Sequence, residues 1–178
     1  MEAGKNKSYS YIENNGNKRV ALLAMLTALA ILIGYVESLI PLNFSIPGVK
    51  LGLCNIVILI TLIMFSWKEA LLVSIIRILV VGLLFGNVFS IAYSMAGALL
   101  ALCIMALLLR IDRFGMIGIS ASGGASHGIG QLLVAKAVLP ALPFAGYASI
   151  LIFTGLLTGC VVGLITYEIH KRLLNLMI

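Results

Sequence analysis

Apolar residues in this chain neither alternate nor recur as narrow stripes. They come in long blocks parted by short polar breaks, at 20–40, 51–65, 70–85, 88–109, 116–139 and 147–169. A helix needs roughly 20 apolar residues to cross a bilayer, so this pattern predicts membrane-spanning helices rather than faces of a soluble core. The second block is short, and the fifth is rich in Gly and Ser in its first half. The breaks agree with that division. Pro47 and Gly48 end one segment, Ser66–Trp67–Lys68–Glu69 supplies interfacial anchors, Gly86–Asn87 makes a tight turn, and Pro140 to Gly146 precedes the last helix.

Residues 1–18 are polar and read as a disordered cytoplasmic tail. They are too long and mixed for a signal-peptide n-region, and no small-residue cleavage site follows. Residues 19–178 are expected to form a single six-helix membrane domain.

Composition sharpens the class. The 178 residues are 62% hydrophobic and only 10% charged, with a mean hydropathy of +1.17. Soluble domains run at about 45–50% apolar and about 25% charged. The chain therefore reads as an all-α polytopic membrane protein with no room for a soluble domain.

The net charge of +6 does not point to nucleic acid, because the basic residues form no patch interleaved with aromatics. They sort by side instead. With alternate loops on opposite sides, Lys5, Lys7, Lys18, Arg19, Lys68, Arg110, Arg113, Lys171 and Arg172 share one side. Lys50 and Lys136 fall on the other, and Arg77 stays inside the membrane. Positive residues stay in the cytoplasm, so both termini are expected there, with Lys50 facing out. Cys54, Cys103 and Cys160 each stand alone in apolar runs, without metal-ligand spacing, and read as small packing residues.

Polar groups inside a membrane are costly and usually line a cavity or pair with one another. Glu37 falls near the outer end of the first helix, and Lys50 and Asn55 at the outer end of the second. Arg77 is mid-membrane in the third. Asn87 and Tyr93–Ser94 flank the outer turn between the third and fourth helices. His127 and Gln131, four apart, share a face in the outer half of the fifth. The inner half carries almost no such groups, which predicts an outward-opening pocket. Two cations against one Glu would make it net positive and suited to a carboxylate or phosphate.

Structural alternatives stand beside this reading. Arg77 can pair with Glu37, Lys50 can snorkel to headgroups, Asn55, Asn87 and Gln131 can tie helices together, and His127 can be a satisfied core histidine. On helix one, Ala21, Ala24 and Ala28 share a face in the cytoplasmic half, nearly opposite Glu37, with Ala30 and Gly34 on the glutamate's side. If Glu37 faces inward, the alanine face is free for a partner; otherwise the alanines pack inside. Gly155, Gly159 and Gly163 form a small-residue ridge on helix six, read first as internal packing and second as self-association.

The run from Pro47 to Asn55, Arg77, Phe85–Gly86–Asn87, Tyr93–Ser94 and the Gly124–Gln131 run containing His127 resemble the Gx transporter family. That family also carries the name heptaprenyl diphosphate synthase component I, and is similar to the S components of energy-coupling factor (ECF) transporters. The resemblance covers residues 19 to about 172 and departs from the pattern at Cys54 and Gly128, where Ala and Asn are expected. It implies a six-helix substrate-binding subunit in the bacterial plasma membrane that captures a small molecule outside the cell. A membrane scaffold subunit and two cytoplasmic ATPases would drive transport, and Ala24 and Ala28 match the small-residue motif by which S components meet the scaffold.

The substrate-binding set is then Lys50, Asn55, Arg77, Asn87, His127, Gln131, Glu37 and Tyr93, and the partner-binding set Ala21, Ala24 and Ala28. No metal or cofactor is expected. Without a Gly-x-x-x-x-Gly-Lys-Ser/Thr motif the chain itself has no phosphate cradle for ATP. The ligand classes left open are vitamins, flavins and isoprenoid or quinone precursors. Two other readings stand: a non-catalytic membrane component of polyprenyl diphosphate metabolism, and a small structural or channel protein. Asp112 is the sole aspartate, so the carboxylate clusters that hold Mg²⁺ on a diphosphate are missing, and the chain is not expected to be an enzyme.

Overall fold

A computed structural model describes residues 16–39, 52–138 and 144–177, the side chains of 144–145 and 173–177 aside. Six helices make up its regular structure: α1 (Gly16–Leu39), α2 (Cys54–Met64), α3 (Trp67–Phe85), α4 (Val88–Ile111), α5 (Met116–Val138) and α6 (Phe144–Met177). The all-helical class is as expected. Most of the N-terminal tail, the Pro47–Gly48 turn with Lys50, and the break at Pro140 lie outside the described residues.

Boundaries moved for identifiable reasons. α1 begins at Gly16, inside the expected tail. α3 begins early because Ser66 caps it: its hydroxyl accepts the Lys68 N–H at 3.3 Å and donates to the Glu69 carboxylate. Asn87 caps α4 in the same manner, its Oδ1 accepting the Ser90 N–H at 2.8 Å. α2 is shortened at its start because Gly52 adopts φ +69°, a left-handed turn that precedes the helix.

α2 is the inner element. Its 11 residues rise about 16 Å, near half of a hydrocarbon core. Seven of its residues are buried, from Cys54 to Leu62, as suits a helix apolar all round. The other five helices surround it in part, and neighbours run in the order α1, α3, α4, α5, α6, with α2 closing the ring against α6 and α1. The main core gathers Leu26 and Ala30 of α1, Val57 to Leu62 of α2, Val73 of α3, Met105 of α4 and Ile119 of α5.

Outside this core, large apolar side chains are exposed on every side, among them Leu32, Leu83, Val88, Leu133 and Phe153. Such a surface suits lipid rather than water. α1, α4 and residues 146–172 of α6 are long and apolar enough to cross a membrane. α3 is marked by Lys68, Glu69 and Arg77, and α5 is diluted by Gly and Ser.

The closest helix pair is α5 and α6, and its contact is backbone on backbone. A Cβ on Gly155 would strike the Gly124 carbonyl, one on Gly124 the Gly155 carbonyl, and one on Gly159 would lie 2.6 Å from the Ser120 carbonyl. The glycine ridge of α6 is therefore internal packing against α5. At the end of the bundle where α1 begins, Arg19 pairs with Glu69. The pair places the start of α1 and the α2–α3 turn at one end, as the alternation of loops requires.

Candidate ligand-binding site

At the opposite end, α2, α5 and α6 leave a cleft. Its described lining is Gly52 and Asn55 at the start of α2, Gly124, His127, Gly128 and Gln131 on α5, and Leu151, Thr154, Gly155 and Thr158 on α6. The cavity measures about 20 Å³, room for about one water-sized group. Two walls are rigid by construction, since the glycines that lock α5 on α6 also border the cleft.

Three of the expected binding residues meet here: Asn55, His127 and Gln131. α4 holds two of them in place. Gly97 lies under them, and a Cβ there would come within 2.8 Å of His127 Nε2 and 2.9 Å of Gln131 Cγ. Gln131 is only 4% exposed, and its Nε2 has no hydrogen-bond partner. An amide so buried ordinarily finds an acceptor.

The remaining candidates sit elsewhere. Glu37 does not line the cleft; its two oxygens take the Leu53 N–H and, at 3.3 Å, the Cys54 thiol. Leu53 has no side-chain cap of its own for α2, so Glu37 provides one from another helix. Tyr93 is buried, its hydroxyl 2.9 Å from that of Tyr147, in a small apolar cluster that shares Leu151 with the cleft. Asn87 is exposed and serves as the α4 cap. Lys50 lies outside the described residues.

Arg77 stands apart from the cleft lining, buried in α3 with its Nε unpartnered. Glu37 is committed to α2, and no salt bridge joins it to Arg77 among the described residues. The Arg77–Glu37 bridge weighed from sequence is thus not formed among them.

Sequence reasoning passed over Thr154 and Thr158. Their signal was a pair of hydroxyls four apart on the glycine ridge. Threonine in an apolar helix usually bonds back to its own turn, and both do so, Thr154 to the Ile150 carbonyl at 2.7 Å and Thr158 to the Thr154 carbonyl at 2.9 Å. The inner half is also less apolar than expected, for Ser120, Thr166 and His170 are buried toward that end. On α1, Ala21, Ala24 and Ala28 are exposed, while Leu26, Ala30 and Gly34 face the bundle.

Comparison with known proteins adds one match. The family model described as heptaprenyl diphosphate synthase component I aligns with residues 26–169. No curated protein and no solved structure matches the chain. The matched region takes in α2 to α5 entire, most of α1 and α6, and every residue of the described cleft. The chain belongs to the heptaprenyl diphosphate synthase component I family, the Gx transporter family.

Proposed function

We propose that this chain is the substrate-binding subunit of an ECF-type importer in the bacterial plasma membrane. It captures a small molecule in the cleft between α2, α5 and α6 and passes it inward with a membrane scaffold subunit and two cytoplasmic ATPases. The observation that carries this reading is the cleft itself. A bundle otherwise wrapped in apolar side chains keeps Asn55, His127 and Gln131 together at one end, one of them with an unanswered donor. The distribution of Lys and Arg supports an outward-facing cleft and cytoplasmic termini. The exposed Ala21, Ala24 and Ala28 supply a smooth face at the other end of α1, where a scaffold helix can approach closely.

The family's name favours a second reading, a membrane component serving polyprenyl diphosphate or quinone-precursor metabolism. We propose that even there this chain performs no catalysis. Its described acids are scattered: Glu37 caps a helix, Glu69 pairs with Arg19, and Asp112 and Glu168 are exposed, one just after α4 and the other within α6.

The test is capture of partners. The full chain, tagged and co-expressed with a scaffold and ATPase pair, is expected to retain them through detergent purification. Ala24→Leu or Ala28→Leu should reduce recovery while leaving the melting temperature unchanged. Undiminished recovery in both variants, or none with the unaltered chain, counts against the importer reading.

A further inference from the structure

The described lining of the cleft contains no carboxylate, ammonium or guanidinium group. Its polar atoms belong to the Asn55 and Gln131 carboxamides, the His127 imidazole, and the hydroxyls of Thr154 and Thr158. Both hydroxyl protons are spent on α6 carbonyls, so toward the cleft those oxygens offer lone pairs alone. A buried donor that stays unused is Gln131 Nε2, on a side chain 4% exposed.

Charge and shape then restrict what can reach this floor. A carboxylate or phosphate brought there would meet no cationic Lys or Arg in the described lining and would lose its hydration, so its entry is strongly opposed. A neutral acceptor would satisfy Gln131 without that penalty. The cavity of about 20 Å³ admits only the tip of a ligand, about one oxygen or ring atom.

We infer that the cleft floor selects an uncharged ligand edge carrying a hydrogen-bond acceptor, a ring or amide carbonyl or a ring nitrogen, with Gln131 as a donor that reads it. The inference rests on the cleft being the ligand site and deepens that reading. It moves the anion-favouring character expected from Lys50 and Arg77 away from the floor: Arg77 is outside the lining, and any acidic group of the ligand lies beyond the described walls.

Matched probes test it on the full chain in detergent micelles. Nicotinamide and benzamide share rings with nicotinate and benzoate but carry a neutral carbonyl in place of a charge. Saturation-transfer NMR at millimolar probe is expected to show both amides responding and both carboxylates responding at least about fivefold less, because burying an unpaired charge costs more than the ~1 kcal/mol that one hydrogen bond returns. Gln131→Met, close in size, should lower the amide responses by about the same factor. Gln131→Leu, which removes both polar atoms of the carboxamide, is the second variant and should do likewise. Carboxylates that respond as strongly as amides, amide responses that persist in both variants, or silence from the amides overturns the inference. Partner capture is read separately, so failure of the probe experiment and failure of the importer reading are told apart.

Discussion

The carboxylate of Glu37, on α1, closes the first turn of α2 through the backbone N–H of Leu53, while its second oxygen takes the thiol of Cys54 at 3.3 Å. α2 is too short to reach the membrane surface at both ends, so its N-terminal amides need acceptors from within the bundle. A capping anion from a neighbouring helix solves that problem, helped by the helix dipole. Because Gly52 and Asn55 flank the capped turn, the same contact sets the α2 wall of the cleft.

Glu37→Ala should therefore destabilise the protein by about 1–3 kcal/mol, the range for leaving a buried donor unmatched. Glu37→Gln, which can still accept the Leu53 N–H, should lose less. Thermal melting in detergent measures both. In a chain with Cys103 and Cys160 replaced by Ala, Cys54, now 1% exposed, should label faster with a thiol reagent in Glu37→Ala. Equal melting and equal labelling would show that Glu37 does not hold α2.

The α5–α6 seam predicts a different outcome. Gly155→Ala places a methyl group against the Gly124 carbonyl, a backbone atom that cannot turn aside. Overpacking of this kind typically costs about 1–3 kcal/mol, and here it separates two helices that also wall the cleft. A fall in melting temperature without change in oligomeric state is expected. A change in oligomeric state at constant melting temperature would instead restore the self-association reading of the glycine ridge.

Gly97→Ala separates positioning from stability. The added methyl meets the Nε2 edge of His127 and the Cγ of Gln131, both parts of side chains that can swing. Stability should drop by no more than about 1 kcal/mol, the low end of overpacking, because these groups yield. The amide-probe responses should fall, because they yield toward the cleft. Unaltered responses would mean that the precise placement of His127 and Gln131 is unimportant.

At the other end of the bundle, the Ser66 hydroxyl, chiefly, and Arg19 hold the Glu69 carboxyl below its ordinary value of 4.5. A lowered folded-state value means the stabilisation is present above pH 4.5 and is lost as pH falls through the folded value. Melting temperature should thus decline as pH falls below about 4.5, and Glu69→Gln should show a shallower decline. Parallel declines in the two proteins would remove Glu69 from the account.

Much of this was legible in the chain before any coordinates. Apolar blocks placed the helices, because hydrophobic length is a direct requirement of the bilayer. Spacing of four placed His127 and Gln131 on one face, and the glycine ridge of α6 announced a close contact. The separation of Ala21, Ala24 and Ala28 from Glu37 also followed from helical rotation alone. What periodicity could not reveal was how each polar group is used. Glu37, Asn87 and Asn55 look alike as polar residues near one membrane face, yet the first caps a neighbouring helix, the second caps its own, and the third lines the cleft. Arg77 illustrates the same limit, since depth in the membrane does not say which interhelical space a side chain enters.

The central claim is that the cleft holds a small molecule, and native mass spectrometry of the full chain extracted from its own membrane tests it most directly. The account predicts a reproducible mass adduct of one uncharged-edged small molecule on the unaltered protein, strongly reduced in Gln131→Met. An unaltered protein that emerges without any adduct, or an adduct equally abundant in Gln131→Met, would contradict it.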